Sequence, residues 1–353
     1  MKDQSLTSQR YTYLWKREWH AALERVWGAH ARLKAETRGP VRKALYLREV
    51  KYSLSRLVTK LVGYEMKNPV IAASGTYGYG EDYKGYYEPD VLGGISSKGL
   101  TLNPKQGNEG IRLWETPSGL LNSIGLENPG VKAFAQGSIS KMKKINSMLI
   151  VNLGGDNLEE YLEGASILND WDIDLIELNI SCPNVKAGGM AFGMQCESAG
   201  LITREIKKIS RHPVMVKLSP NAPSISDIAI SCEENGADAV SLVNTFQGMA
   251  IDIRNKRAVF NNVYAGLSGP AIKPIALRMV HQTAKAVSIP VVGLGGISTW
   301  QDAVEFIMAG ATAIQIGTGN FPNPNLGKEI AEGLEKYCED NGFKNISEIR
   351  GII

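Results

Sequence analysis

From residue 69 onward the chain alternates short apolar, β-branched runs with stretches whose apolar positions recur at helical spacing. The runs are Val70–Ala73, Leu92–Ser97, Leu149–Leu153, Leu175–Ile180, Val214–Leu218, Ala239–Val243, Val291–Gly293 and Ala313–Ile316. Most show little polar/apolar alternation, the pattern of strands buried on both faces of a parallel sheet. Helical patterns separate many of them, most clearly Ile225–Asn235, Pro274–Val287 and Trp300–Ala309. Eight such units in about 280 residues predict an α/β fold, a (β/α)8 TIM barrel. The alternative, an open doubly wound sheet, usually carries GxGxxG after its first strand. Here the first run ends in Ala73-Ser74-Gly75-Thr76-Tyr77-Gly78, which does not fit.

The N-terminal region has a different pattern. Between Tyr13 and Leu33 the only Gly or Pro is Gly28, and Trp15, Trp19, Leu23, Val26 and Trp27 form one apolar stripe at three- and four-residue spacing. Lys16, Arg17, Arg25 and Arg32 occupy other positions, and Gly39-Pro40 ends the helix. Residues 1–60 carry 14 basic and 5 acidic side chains, against 25 and 31 in the rest of a chain whose net charge is +3. The charge shift divides the chain into residues 1–56, a basic helical N-terminal extension of unassigned role, and residues 57–353, the barrel. A basic helix with a Trp stripe can lie on a membrane surface or dock on a partner. A stripe packed on the body, or a leader, is the plainer reading and the one favoured.

Composition narrows the function classes. The 353 residues are 43% hydrophobic and 21% charged, ordinary for a globular protein. No apolar run is long enough to span a membrane, and the first 20 residues lack a secretory signal pattern. Cys182, Cys196, Cys232 and Cys338 lie far apart with no CxxC pair, so neither a metal site nor an iron–sulfur cluster is expected. A reducing, cytoplasmic setting is expected, and no nucleic-acid partner.

In a barrel the chemistry sits at the C-terminal ends of the strands. Those ends read ASGTYG, SSKG, VNLGG, ELNISCPN, VKLSPN, LVNT, GLGGIS and QIGTG, so polar residues and glycines gather where strand interiors are apolar. Gly295-Gly296 and Gly317-Thr318 follow the last two strands, where barrels often bind phosphate through exposed backbone N–H groups. Lys98 and Lys217 end the second and fifth strands; a lysine at that depth is costly unless it faces an anion, either a ligand or a barrel carboxylate such as Glu177. The ligand is the favoured partner for both. Asn122, Asn152, Asn179, Asn184 and Asn244 supply amides that donate and accept, which suits a flat heterocycle with N–H and C=O edges. Cys182 follows the fourth strand among polar residues and precedes a glycine-rich stretch. Proton transfer by a thiolate is plausible there, and an inert buried thiol is the alternative. None of the four histidines, at 20, 30, 212 and 281, lies at a strand end, so Cys182 has little competition as a base.

Over roughly residues 58–353 the sequence resembles the catalytic subunit of class 1 dihydroorotate dehydrogenase, the flavoenzyme of pyrimidine synthesis. The resemblance rests on NPVIAASGTYGYG, NSIGLENPGV, ELNISCPNVKAGG, VKLSPN, GLSGPAIKP, GLGGI and QIGTG in that order. It is strongest to class 1B, whose partner is an iron–sulfur flavoprotein subunit using NAD. The resemblance implies conversion of dihydroorotate to orotate and a homodimer. It also implies flavin mononucleotide (FMN) across the barrel mouth, its phosphate on Gly269, Gly295, Gly296, Gly317 and Thr318. Lys217 matches a lysine at the flavin pyrimidine edge that stabilises the reduced ring. Ser74, Lys98, Gly99, Asn152, Asn179 and Val243 match other flavin contacts. Lys98, the run Asn122, Ser123, Ile124, Gly125 and Leu126, with Asn179, Asn244 and Thr245, matches the orotate pocket. Cys182 matches the base that removes a C5 proton while C6 passes hydride to the flavin. The membrane-bound class 2 relatives use Ser there, which argues against a membrane role for the N-terminal helix.

Two departures stand out. SSKGLT replaces the commoner TKGTT, so Leu100 stands for a polar residue, and GTGN replaces GTAN at Gly319. Two rival functions are weaker. The flavin domain of dihydropyrimidine dehydrogenase usually reads SCPH where this chain has Ser181-Cys182-Pro183-Asn184. A non-catalytic barrel holding a phosphorylated ligand would be colourless when purified. The chain has no motif that shows where electrons leave.

Overall fold

The computed structural model describes residues 54–181 and 192–353. Eight parallel strands close into a barrel in chain order: β1 (Val70–Ala72), β2 (Gly94–Ser96), β3 (Met148–Leu153), β4 (Leu175–Asn179), β5 (Val214–Lys217), β6 (Ala239–Leu242), β7 (Val291–Leu294) and β8 (Ala313–Ile316). Closure comes from β8 pairing with β1, Ile314 opposite Val70. Every expected run forms a strand. The helical extension and the candidates Cys182 and Asn184 lie outside the described residues.

Helices α1 (Val131–Gly137) and α2 (Ile139–Met142) follow β2. Then α3 (Leu158–Leu168), α4 (Cys196–Ile209), α5 (Ile225–Glu234), α6 (Lys273–Ala286), α7 (Trp300–Met308) and α8 (Leu326–Asp340) follow the strands in turn. Their starts are written locally. The Asn157 and Ser224 side chains accept the backbone N–H of Glu160 and Asp227, and Thr299 with Asp302 forms a capping box on α7. Each cap satisfies a donor that the first helical turn leaves free.

The strands alternate although their sequences barely show it. Val70, Val151, Ile176, Val216, Val240 and Ile314 face outward into the core shared with the helices. Ile71, Ile150, Leu175, Met215, Ala239, Val292 and Ala313 face inward, and Leu61 and Met66 of the Thr59–Leu61/Tyr64–Met66 hairpin pack with them as the barrel floor. Both faces are apolar at this level, which hides the two-residue period.

Two positions further along five of those strands, the inward residue becomes polar: Asn152, Glu177, Lys217, Ser241 and Gln315, all buried. Two positions further again lie Gly154, Asn179, Ser219, Val243 and Gly317, at the mouth. The barrel is therefore layered, with an apolar floor, a buried polar layer and an open rim.

A second sheet, not foreseen from the sequence, grows from the loops after β2 and β6. Its four antiparallel strands run in the order Phe246–Met249, Tyr264–Ser268, Gly119–Asn122, Leu113–Thr116. At the other end of the described chain, Leu57 is fully buried and Arg56 pairs with Glu335 of α8 at 2.7 Å.

Candidate active site

Three glycine loops meet on one side of the mouth. Gly296 has φ +78°, and a Cβ there would lie 2.7 Å from the Lys273 nitrogen and 2.9 Å from the Gly269 carbonyl oxygen. Gly295, at φ +124°, would place a Cβ 3.1 Å from Val243 Cγ2. Thr318 Oγ1 donates to Ser268 Oγ at 2.7 Å, which ties the loop after β8 to the loop after β6. Gly269, Gly295 and Gly296 thus line adjoining loops in which a Cβ would meet neighbouring atoms within 3 Å, and Gly317 and Thr318 follow β8 beside them. Such a surface suits a phosphate: small, anionic and able to accept several N–H groups.

Asp302 fixes this side. Its carboxylate accepts Ser298 N (2.8 Å), Thr299 N (2.9 Å) and Lys273 Nζ (2.6 Å). Burial pushes the Asp302 carboxyl up, but Lys273 and the Ser298 and Thr299 donors outweigh it and hold the group below its ordinary range. Gly319, one of the two departures, belongs to the same packing: a Cβ there would lie 2.8 Å from the Ile297 carbonyl oxygen. Leu100, the other departure, is fully buried, and its N–H donates to Asn152 O at 2.9 Å. It serves the barrel wall without offering a polar side chain to the mouth.

The opposite side is built of amides. A Cβ at Gly99 would lie 3.0 Å from Asn152 Oδ1, 3.1 Å from Leu126 Cδ2 and 3.9 Å from Ser74 Oγ, so these four residues adjoin. Asn179 Nδ2 donates to Asn152 Oδ1 at 3.2 Å, and Ser181 Oγ donates to Asn179 Oδ1 at 2.9 Å. Asn244 Nδ2 donates to Ser181 Oγ at 2.8 Å, while its Oδ1 accepts Thr245 N at 2.8 Å. Tyr161 from α3 donates to the Asn179 carbonyl at 2.7 Å and pins the end of β4. Asn122 completes the arc from the second sheet, donating to Gly266 O at 3.2 Å.

The run from Asn122 to Leu126 is braced from both flanks. Asn108 N donates to Ile124 O (2.9 Å) and its amide donates to Ser123 Oγ (3.0 Å). Asn128 accepts Thr101 N and Gly130 N and donates to the Leu126 carbonyl. Gly125 is required, since at φ +75° a Cβ would lie 2.7 Å from Asn108 N.

Both lysines face a carboxylate within the chain, the alternative the sequence left open. Lys98 Nζ lies 3.7 Å from Glu127, which also takes Arg112 at 2.9 Å. Lys217 Nζ lies 3.7 Å from the fully buried Glu177. At 3.7 Å each is an ion pair and not a hydrogen bond. Ser96, Ser241 and Gln315, which with Asn152 surround Glu177, were missed in the sequence. Their signal is a polar residue inside an apolar strand, at the inward position one repeat above the floor.

The described cysteines do not suit proton transfer. Burial pushes the Cys232 thiol up to about 12 and the Cys338 thiol up to about 11, and it also raises Cys196. Among the described residues, no three His, Cys, Asp or Glu side chains gather as a metal site would require. No helix among them is long and apolar enough to cross a membrane.

The family model described as dihydroorotate dehydrogenase matches residues 56–338. The dihydroorotate dehydrogenase B (NAD(+)) catalytic subunit of Petrotoga mobilis is 52% identical over 83% of this chain and 98% of its own length. That of Thermoanaerobacter pseudethanolicus is 51% identical over 84% of this chain and 98% of its own. That of Parabacteroides distasonis is 48% identical over 85% and 99%.

Proposed function

The chain belongs to the dihydroorotate dehydrogenase family, whose reaction is the oxidation of dihydroorotate to orotate in pyrimidine biosynthesis, and we propose that it acts as the FMN-dependent catalytic subunit of an NAD-linked enzyme of this kind. The observation that carries this reading is the pairing of two surfaces at one barrel mouth. A side-chain-free glycine cradle fits a phosphate, and an arc of fixed amides fits a flat pyrimidine with N–H and C=O edges.

Bound FMN would supply the acceptor for the hydride that leaves C6 of dihydroorotate. Gly269, Gly295, Gly296, Gly317 and Thr318 hold its phosphate, and Ser74, Gly99, Asn152, Asn179 and Val243 line its ring, with Lys98 at the edge nearest the substrate. The buried Lys217 would supply the cation that favours the reduced form of the ring. Asn122, Ser123, Ile124, Gly125, Leu126, Asn179, Asn244 and Thr245 seat the substrate. Lys98 takes its carboxylate in place of Glu127. Cys182 Sγ would take the C5 proton as hydride leaves C6, so that the C5–H electron pair forms the C5=C6 double bond and the hydride carries away the C6–H pair.

Since the chain has no iron–sulfur motif, electrons reach NAD through an iron–sulfur flavoprotein subunit. The catalytic subunit is a cytoplasmic homodimer, and residues 1–56 supply none of the assigned site residues. Purified protein is expected to be yellow with stoichiometric FMN, and to form orotate with an artificial acceptor. It should reduce NAD only when the second subunit is supplied. Protein that stays flavin-free when FMN is added would overturn the FMN assignment. NAD reduction by the isolated chain would overturn the partner.

A further inference from the structure

The polar layer under the mouth is organised around one carboxylate. Glu177 on β4 has no solvent exposure. It accepts Asn152 Nδ2 at 2.6 Å, Gln315 Nε2 at 2.8 Å, Ser241 Oγ at 2.9 Å and Ser96 Oγ at 3.2 Å, and faces Lys217 Nζ at 3.7 Å. These partners come from β3, β8, β6, β2 and β5, so one side chain collects donors from most of the barrel wall. Burial alone would push this carboxyl up. The Lys217 ammonium and the Gln315, Asn152 and Ser241 donors outweigh it and hold Glu177 below its ordinary range.

Stability does not account for such an arrangement. A buried ion pair seldom gains more than a well-packed apolar replacement would, and the floor one layer below fills the same lumen with Ile, Leu, Met and Ala. Two of the carboxylate's partners are instead assigned to the flavin. Lys217 is the cation at the ring, and Asn152 Oδ1 lies 3.0 Å from where a Cβ of Gly99 would stand. Asn152 presents that oxygen to the mouth and to Asn179 because its nitrogen is fixed on Glu177. A charge this deep is little screened by solvent, so it acts over the whole site.

We propose that Glu177 is a positioning residue for the redox site: its carboxylate holds Lys217 and orients Asn152, and its negative charge partly offsets the lysine, lowering the reduction potential of the bound flavin. The proposal rests on the FMN reading above. It differs from a packing role in fixing the sign of an electrical effect. Removing the carboxylate leaves Lys217 unopposed and moves the potential up. Removing the lysine leaves the carboxylate unopposed and moves it down.

The test is the potential of bound FMN in the purified holoprotein, measured by dye-equilibrated reductive titration. Glu177→Gln should shift it to more positive values and Lys217→Met to more negative ones. Glu177→Asp keeps the charge and should stay near wild type. Equal potentials in wild type and Glu177→Gln, or a Glu177→Asp shift as large as that of Glu177→Gln, overturn the proposal. If Glu177→Gln does not fold, the double variant Glu177→Gln/Lys217→Met carries no unpaired charge and is compared with Lys217→Met. A more positive potential in the double variant supports the role, and identical potentials refute it. Wild-type protein that binds no FMN removes the FMN reading and this inference together. Flavin-bound wild type with an unresponsive Glu177→Gln removes only the inference.

Discussion

The two sides of the barrel mouth solve recognition in opposite ways. The side after β6, β7 and β8 presents backbone, with glycines at 269, 295 and 296 where side chains would intrude and Gly317 beside them. The side after β3, β4 and β6 presents side chains, an arc from Asn152 through Asn179, Ser181 and Asn244 to Thr245. The first is suited to charge and shape, which any N–H-rich cradle can match. The second is suited to a pattern of donors and acceptors, which requires each amide to be held in one orientation. On the proposed assignment, a change on the glycine side would act sterically, by loss of the ligand, whereas a change at Asn244 or Thr245, which take no part in the assigned flavin site, would act chemically, by loss of turnover or substrate while the cofactor stays.

The largest expected effect is chemical. Cys182→Ala should keep its FMN and lose turnover by about 10² to 10⁴, the usual worth of positioned proton transfer. Cys182→Ser should be slow at neutral pH and gain rate as pH rises, because an alcohol is a far poorer base than a thiol. Near-normal turnover in Cys182→Ala would remove the base assignment. The steric counterpart is Gly296→Val. A β-branched residue at positive φ, with a Cβ against Lys273 N and Gly269 O, should weaken FMN binding about 100-fold, from strain of order 3 kcal/mol. Spectroscopic titration with FMN checks this, and unchanged affinity would mean the cradle lies elsewhere. Asn244→Ala removes the bonds to Ser181 and Thr245 and should raise the KM for dihydroorotate about tenfold, from roughly 1.4 kcal/mol, at unchanged FMN content. Loss of flavin in that variant would blur the division between the two sides.

The smallest effect concerns pH. Asp302 and Glu177 are both held below the ordinary carboxylate range, so each contributes stability that is fully present above that range. That contribution is lost as pH falls through the depressed folded value. Asp302 braces the glycine loops from the rim, whereas Glu177 is sealed in the lumen. Acidification should therefore release FMN before the barrel unfolds. Flavin fluorescence and far-ultraviolet circular dichroism followed together separate the two events, and coincident transitions would contradict the ordering.

How much of this could be read from the chain follows the same division. The eight barrel strands were legible because short, mostly apolar runs such as Val70–Ala73 recur between helical patterns, as strands buried on both faces do. Helices α5, α6 and α7 were legible within a residue at each end, through their helical periodicity. The second sheet was not. Its strands are short, Leu113 and Trp114 are exposed, and Asn122 pairs with Gly266, 144 residues away. Nothing local encodes a pairing at that distance. The rim residues were found from their places at strand ends and from the family pattern, and those within the described residues gather at one mouth. The Glu177 layer was only half legible. Glu177 itself drew notice as a partner for the lysines, but Ser96, Ser241 and Gln315 look like ordinary polar interruptions until the barrel closes and turns them to one point.

The measurement that tests the account most directly is an anaerobic half-reaction. Flavin-loaded protein is mixed with dihydroorotate, and the flavin absorption and released orotate are followed together. Bleaching of the flavin with formation of an equal amount of orotate is the predicted result. Flavin that stays oxidised in folded protein with excess dihydroorotate would contradict the central claim.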